Sequence, residues 1–461
     1  MTGSLVCRSQ MMFRVFLVFA LAQAIPGLAT PMGPNSDYVG NRDIASVLAR
    51  AANDPAINDS WLPEAASALT NEVAGGISGK DKSMEDAWNA VQDIIGKSAN
   101  VFDVAANLAI SGVIPSDILR LLNGYANQRL NALDNENPSV TGNTIYPRKM
   151  AIDAPYSIDE VKLRAVIYIP ESFKHGKDGK KPVILVPGTG VPAGTSYYFN
   201  FGKLADAVPE ADVVWVNIPG ASLADVQISS EYIAYAINYI SAVTESNVSV
   251  ISWSQGGLNT QWSLKYWPST RHVVDDFIAI SPDFRGTLVA DAVCPLLSGV
   301  FCTPSLFQQR WGTEFISTLR EDGGSSAYVP TTTVYSSFDE IVQPMSGANA
   351  SALLDDAQVV GVSNNHLQTI CALQPAGGVY LHEGMLYNPL TWALTADALR
   401  HEGPGDTRRI DTEKVCEALI APQLGADDLL GSEGLLLIAV AEILAYSPKA
   451  FKEPVIARYA L

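Results

Sequence analysis

From about residue 40 to 130, apolar positions recur three and four residues apart, which predicts a series of amphipathic helices. Ile44, Val47, Leu48 and Ala51 make one stripe. Ser83 is placed to cap a second helix carrying Trp88, Val91 and Ile95, and Pro115-Ser116 opens a third with Ile118, Leu121, Leu122 and Tyr125. The polar stretch Asn135-Glu136-Asn137-Pro138-Ser139 interrupts the pattern and marks the expected boundary. Beyond it the period changes. Thr144 to Ile152 and Lys162 to Ile169 read as two antiparallel leading strands. Short continuous apolar runs follow at Val183–Val186, Val213–Val216, Val248–Ile251, Phe277–Ile280, Thr332–Tyr335 and Val379–Leu381. Runs of this kind suit strands buried on both faces of a parallel sheet. Helical patterns at Ser230 to Val243 and Leu258 to Tyr266 lie between them, so the alternation predicts an α/β fold.

One junction in this alternation carries chemistry. The run Val248-Ser249-Val250-Ile251 enters Ser252-Trp253-Ser254-Gln255-Gly256-Gly257, and helical spacing resumes at Leu258. A tight strand-to-helix turn of this form presents a serine hydroxyl above a sheet, with small residues on either side because strand and helix approach closely. In the usual G-x-S-x-G pattern the first position is glycine; Ser252 occupies it here, and Ser254 is the candidate nucleophile.

The chain has 461 residues, nearly half of them hydrophobic, which is enough for a large core and a smaller second unit. Its formal charge of −18 argues against an electrostatic nucleic-acid partner. Arg8 and Arg14 precede the apolar run Val15–Ala22, with small residues after it, so residues 1–29 read as a secretory signal peptide. The run is short for a transmembrane anchor, and Leu435–Leu444 is too short and contains Glu442. A secreted chain without a transmembrane anchor is expected. Residues 30–140 then form an N-terminal helical extension or propeptide, with a cap over the site, a lipid-contacting element or a simple packed extension as its alternative roles. Residues 141–461 form the catalytic domain. After signal removal Cys294, Cys302, Cys371 and Cys416 remain, an even number consistent with two disulfides in any of three connectivities. Asn58, Asn247 and Asn349 begin glycosylation sequons. No zinc spacing, dinucleotide fingerprint or phosphate-loop lysine is present, so neither cofactor nor metal is expected.

A serine hydroxyl needs a base, and the base needs an orienting carboxylate. On this fold the order along the chain is Ser, acid, His, each just after a strand. Asp339 follows the Thr333-Val334-Tyr335 run, with Glu340 as its neighbouring rival. Of five histidines, His175 precedes the sheet, His272 precedes any suitable acid, and His366 and His401 sit in irregular stretches. His382 directly follows Val379-Tyr380-Leu381 and is the expected base. The backbone N–H of Gln255 and the Pro187-Gly188-Thr189-Gly190 loop, with the Thr189 hydroxyl, would supply an oxyanion hole.

The strings Ser252-Trp253-Ser254-Gln255-Gly256-Gly257-Leu258, Leu185-Val186-Pro187-Gly188-Thr189-Gly190 and Asp339-Glu340-Ile341-Val342-Gln343-Pro344 resemble the Candida antarctica lipase B family of secreted fungal lipases. So do Ser281-Pro282-Asp283-Phe284-Arg285-Gly286, Pro330-Thr331-Thr332, Glu231-Tyr232 and the closing Glu453-Pro454. The resemblance runs from about residue 180 to the C-terminus and leaves residues 30 to 140 uncovered. It implies an α/β-hydrolase with a mostly parallel central sheet, with Ser254, Asp339 and His382 as the triad and Thr189 and Gln255 as the oxyanion hole. It further implies Trp253 on the floor of the alcohol side with Ser196 at its rim, and Asp283 with Gln308 or Gln309 beside the acyl pocket. Ile341 and Val342 would line the acyl side, and a helix from Gly434 to Tyr446 would wall it with Leu437, Val440, Ala441 and Leu444. Cys371 and Cys416 match a family disulfide; two other family disulfides have no counterpart. Cys294 and Cys302 fall where the family has a short mobile cap helix, and a disulfide stapling that cap is expected.

These expectations amount to a secreted, monomeric serine ester hydrolase, most simply a triacylglycerol lipase acting on lipid or another ester substrate at an oil–water interface. A transesterase passing the acyl group to an alcohol in secondary-metabolite synthesis uses the same site. A non-catalytic binding protein on a hydrolase scaffold is the alternative of another class.

Overall fold

The strands are β1 (Ile167–Tyr168), β2 (Lys181–Val186), β3 (Ala211–Val216), β4 (Val248–Trp253), β5 (Val274–Ile280), β6 (Thr331–Tyr335) and β7 (Val362–His366). In the computed structural model they form one sheet in the order β1-β3-β2-β4-β5-β6-β7. Only β1 is antiparallel to its neighbour; every other pair is parallel. The structure describes residues 44–53, 63, 65–67, 83–98, 101–123, 128–140, 144–291, 293 and 302–461. The signal segment, Asn58 and Cys294 lie outside them.

The apolar runs sit centrally because both of their faces are covered. Val183, Leu185, Ile251, Trp253, Ile278 and Ile280 point into one core, and their strand neighbours Ile184, Val186, Val250, Phe277 and Ala279 point into the other. This is the two-residue period of a strand expressed on two buried faces. The second face is covered by helices Val226–Thr244 and Gln255–Tyr266, as their spacing predicts. The first face is covered by helices Pro389–Arg400, Ala426–Glu433 and Leu435–Ala445, and over these lie the N-terminal helices Ile44–Ala52, Met84–Lys97, Val101–Ile110 and Ser116–Asn123. The predicted stripe Ile44, Val47, Leu48 and Ala51 is buried, and Ser83 caps its helix by accepting from the Asp86 N–H at 3.1 Å. The stretch expected as a linker is bound down by its asparagines: Asn137 Nδ2 donates to the carbonyls of Arg164 (2.9 Å) and Ile167 (2.7 Å).

Three strand assignments from the apolar pattern are corrected. Thr144 to Ile152 is not a strand; Tyr146 stacks on Tyr156 at 6.1 Å, and Met150 to Asp153 turns back on itself. Lys162 to Ile169 is mostly the helix Glu160–Ala165, and only Ile167 and Tyr168 pair. Val379-Tyr380-Leu381 is unpaired as well: its apolar side chains fill the first core, while the Val379 carbonyl accepts from the Gln92 side chain at 3.0 Å. The last strand is instead the polar Val362–His366, whose edge position leaves it half in solvent, so it carries no continuous apolar run. Among the described residues, no helix is long and apolar enough to cross a membrane.

Candidate active site

At the C-terminal end of β4 the chain turns directly into helix Gln255–Tyr266, and Ser254 holds the turn at φ 58°, ψ −132°. For a residue with a side chain this backbone is costly and is found where surrounding structure over-determines it. Strand and helix are pressed together: a Cβ on Gly256 would lie 2.5 Å from the Val186 carbonyl oxygen, and one on Gly188 2.9 Å from Ser254 Cβ. Ser252 fits the position usually held by glycine because it is buried within β4, paired with Val186 and Ala279.

The candidate acid follows β6. Asp339 Oδ1 accepts the backbone N–H groups of Ile341 (3.0 Å) and Val342 (2.7 Å), which fixes the carboxylate so that Oδ2 meets His382 Nδ1 at 2.7 Å. Both side chains are buried, to 0 % exposure for Asp339 and 3 % for His382. Burial, the largest single influence, works to lower the His382 pKa, but the carboxylates around it, Asp339 foremost with Glu340 and Asp283, together hold the imidazole above its ordinary value. Glu340 faces elsewhere; its Oε2 accepts the His382 backbone N–H at 2.9 Å. Asp339 thus reaches the ring and Glu340 the main chain. His382 Nε2 is buried and makes no hydrogen bond among the described residues. Its ring lies against Trp253, centroids 5.0 Å apart, and the Trp253 indole donates to the His382 carbonyl at 3.2 Å. The residue before the elbow serine therefore holds the histidine, a contact that motif matching does not reveal.

At the end of β2, the Thr189 hydroxyl lies 2.6 Å from Gln255 Oε1 and 3.0 Å from Gln309 Oε1, while Gln255 Nε2 donates to the Ser222 carbonyl at 3.0 Å. The N–H of Gln255 stands at the first position of its helix, where no intrahelical acceptor exists. Of the two glutamines left open by the sequence, Gln309 joins this network, donating to Gln255 Oε1 at 2.9 Å. Gln308 instead accepts from the Val226 N–H and donates to Asp225, securing the start of helix Val226–Thr244. Asp283, after β5, is fully buried with both carboxylate oxygens lacking a partner among the described residues, and desolvation pushes its pKa to about 7. Ser196 is buried and hydrogen-bonded to the Pro192 carbonyl at 3.1 Å. Ile341 and Val342, whose N–H groups hold Asp339, lie beside it, with Val342 fully covered. Leu437, Val440 and Ala441 are buried on helix Leu435–Ala445 and Leu444 is partly so; this helix rests on the Thr189 loop, with Ala439 Cα 3.0 Å from where a Cβ on Gly190 would be.

Cys371 and Cys416 are disulfide-bonded, closing the chain on either side of His382. Cys302 is also in a disulfide; its expected partner, Cys294, lies outside the described residues. Asn247 and Asn349 are exposed. His366 bonds Ser337 and Thr369, and His401 sits beside Asp397, so neither approaches the elbow through these contacts. The pattern reading passed over Glu383 and Glu433, and it took Glu340 only as a rival acid and Trp88 only as part of a helix stripe; all four meet the histidine loop.

No family model matches the chain. It is 34% identical over 284 residues to the curated protein Lipase B of Pseudozyma antarctica, an alignment that takes in 61% of this chain and 79% of that protein. Among solved structures, Aspergillus fumigatus lipase B superposes with a TM-score of 0.86 at 61% identity, across 91% of this chain and all of that one.

Proposed function

This chain belongs to the fungal lipase B family of ester hydrolases, and on that premise we propose that it cleaves carboxylic esters through an acyl-enzyme on Ser254. The observation that carries the assignment is the Asp339–His382 pair, buried and 2.7 Å apart, with a free Nε2 and a ring packed on the residue that precedes Ser254. Asp339 keeps the proton on Nδ1, leaving Nε2 as the acceptor for the Ser254 hydroxyl proton as Oγ attacks the ester carbonyl. The tetrahedral oxyanion takes hydrogen bonds from the Gln255 N–H and from the Thr189 hydroxyl, which must leave its glutamine partner to do so. On collapse, His382 returns the proton to the departing alcohol; water then repeats the sequence against the acyl-enzyme, releasing the acid and restoring Ser254.

Triacylglycerols are the proposed substrates, in keeping with the names of both relatives. The apolar wall from Leu437 to Leu444 suits an acyl chain, and Asp283, held toward its neutral form, offers a polar contact at the acyl end. Secretion is proposed from the N-terminal charge-then-apolar pattern, from disulfide use and from exposed sequons at Asn247 and Asn349. The test is labelling with an active-site phosphonate ester, located by peptide mass, beside tributyrin and triolein turnover. Wild type should acquire one adduct, on Ser254, and Ser254→Ala should lose about 10⁴-fold or more in kcat. An adduct elsewhere, or an active Ser254→Ala protein, would overturn the assignment.

A further inference from the structure

Behind the histidine loop lies a group of carboxyls that the proposed chemistry does not use. Glu383 and Glu433 are buried, and Glu340 is half-buried with its Oε1 covered; they come from three separate places: the residue after His382, helix Ala426–Glu433 and the acid loop. Glu433 accepts from the Tyr387 hydroxyl. Glu340 spends Oε2 on the His382 N–H, and its Oε1 is buried without a donor among the described residues; Glu383 Oε2 is likewise buried without one there. The two carboxyls are within hydrogen-bonding reach of each other. Gly384, next along the chain, packs against the third carboxyl: a Cβ there would come within 3.2 Å of the Tyr387 hydroxyl and 3.5 Å of Glu433 Oε1. The titratable groups facing the cluster are Asp339, His382, Tyr380 and Tyr387, and no Lys or Arg pairs with it among the described residues.

Two buried acceptors with no other donor are compatible only when a proton lies between them. We propose that Glu383 and Glu340 share that proton as a carboxylic acid–carboxylate pair, and that Glu383 is thereby a positioning residue which keeps Glu340 fixed on the main chain of His382. No bond is made or broken in the reaction by this pair. Glu340 remains an acceptor for the His382 N–H because Glu383 supplies the donor its other oxygen lacks. Burial, reinforced by the neighbouring carboxyls, raises the pKa of both groups, which favours retention of the shared proton. The sign follows: a carboxyl whose folded pKa is raised binds its proton better folded than unfolded. Its deprotonation therefore erodes stability as pH climbs from the ordinary glutamate range through the raised value.

The positioning half of this inference rests on His382 being the base; the shared proton does not, and the experiment reads them separately. Glu383→Gln keeps a donor and removes the titration, whereas Glu383→Leu removes both. By infrared difference spectroscopy at pH 7, wild type minus Glu383→Gln should contain a protonated-carboxyl C=O band; a spectrum without it overturns the shared proton. In kinetics, Glu383→Gln should hold kcat within about twofold at pH 7 and move the alkaline limb upward. Glu383→Leu should lose about tenfold in kcat with KM little changed, as a small displacement of a catalytic group requires. Equal pH profiles for wild type and both variants would overturn the positioning role. If Glu383→Leu fails to fold, an unchanged alkaline limb in Glu383→Gln is sufficient to do so. A lost infrared band with unaltered kinetics and normal phosphonate labelling would leave the Ser254 assignment standing and discard positioning alone.

Discussion

The turn that carries Ser254 and the loop that carries His382 serve one site but are held by different forces. The elbow is built from backbone: a strand end, a residue at φ 58°, and glycines that let helix Gln255–Tyr266 press on the Val186 carbonyl. The histidine loop has no strand or long helix of its own at residues 378–382. It is suspended by side chains reaching from elsewhere. Gln368 donates to both Ser336 Oγ and the Gly378 carbonyl, so it joins the acid loop to the histidine loop. Gln92 holds the Val379 carbonyl, the Trp88 ring lies 4.8 Å from Tyr380, and Trp253 and Glu340 take the main chain of His382 itself. One half of the proposed Ser254–His382 pair is thus set by local conformation, and the other by tertiary contacts that include the N-terminal helices. A change in the first should act all or none; changes in the second should act by degrees.

The sharpest way to break the contrast is at Gly256. A methyl there meets the Val186 oxygen at 2.5 Å and the Pro187 oxygen at 2.9 Å, both backbone atoms that cannot step aside. Gly256→Ala should cost about 1–3 kcal/mol of stability, in the range of overpacked sites, and should abolish phosphonate labelling of Ser254. Retained labelling in a folded variant would mean that the elbow is not backbone-determined. A smaller, graded effect is expected at Trp88, on helix Met84–Lys97. Trp88→Ala should destabilise by about 3 kcal/mol, and lower kcat by less than about tenfold through the histidine loop while labelling still goes to completion. Loss of stability with kcat unchanged would detach the N-terminal helices from the site. The smallest effect belongs to Ser252, whose hydroxyl is buried and has no partner among the described residues. Ser252→Ala should change kcat by less than about twofold and leave stability equal or up to about 1 kcal/mol higher, because an unsatisfied hydroxyl is removed.

The same division explains what could be read in advance. Ser254 is legible because the apolar run, the small flanks and the helical restart are consecutive in sequence. Asp339 and His382 could be placed beside it only as residues near strand ends, and the strand assigned before His382 is absent. Val379-Tyr380-Leu381 has the composition of a strand, but its apolar side chains are used to pack and its main chain bonds side chains. The polar Val362–His366 pairs instead, since an edge strand needs only main-chain partners. Glu340 read as a rival acid because adjacency in sequence does not say which way each side chain points. In space the two carboxylates divide the histidine between ring and backbone.

By itself the sequence determined the α/β alternation and the elbow with its candidate nucleophile, because hydrophobic period and turn chemistry are local properties of consecutive residues. Only the tertiary structure decided what surrounds the histidine. Glu340, Glu383, Glu433, Gln92 and Trp88 have no pattern in common along the chain, and a buried carboxyl looks the same in sequence as a solvated one. Their meaning comes from desolvation and from which oxygen finds a donor, and both exist only once distant segments have been packed against each other.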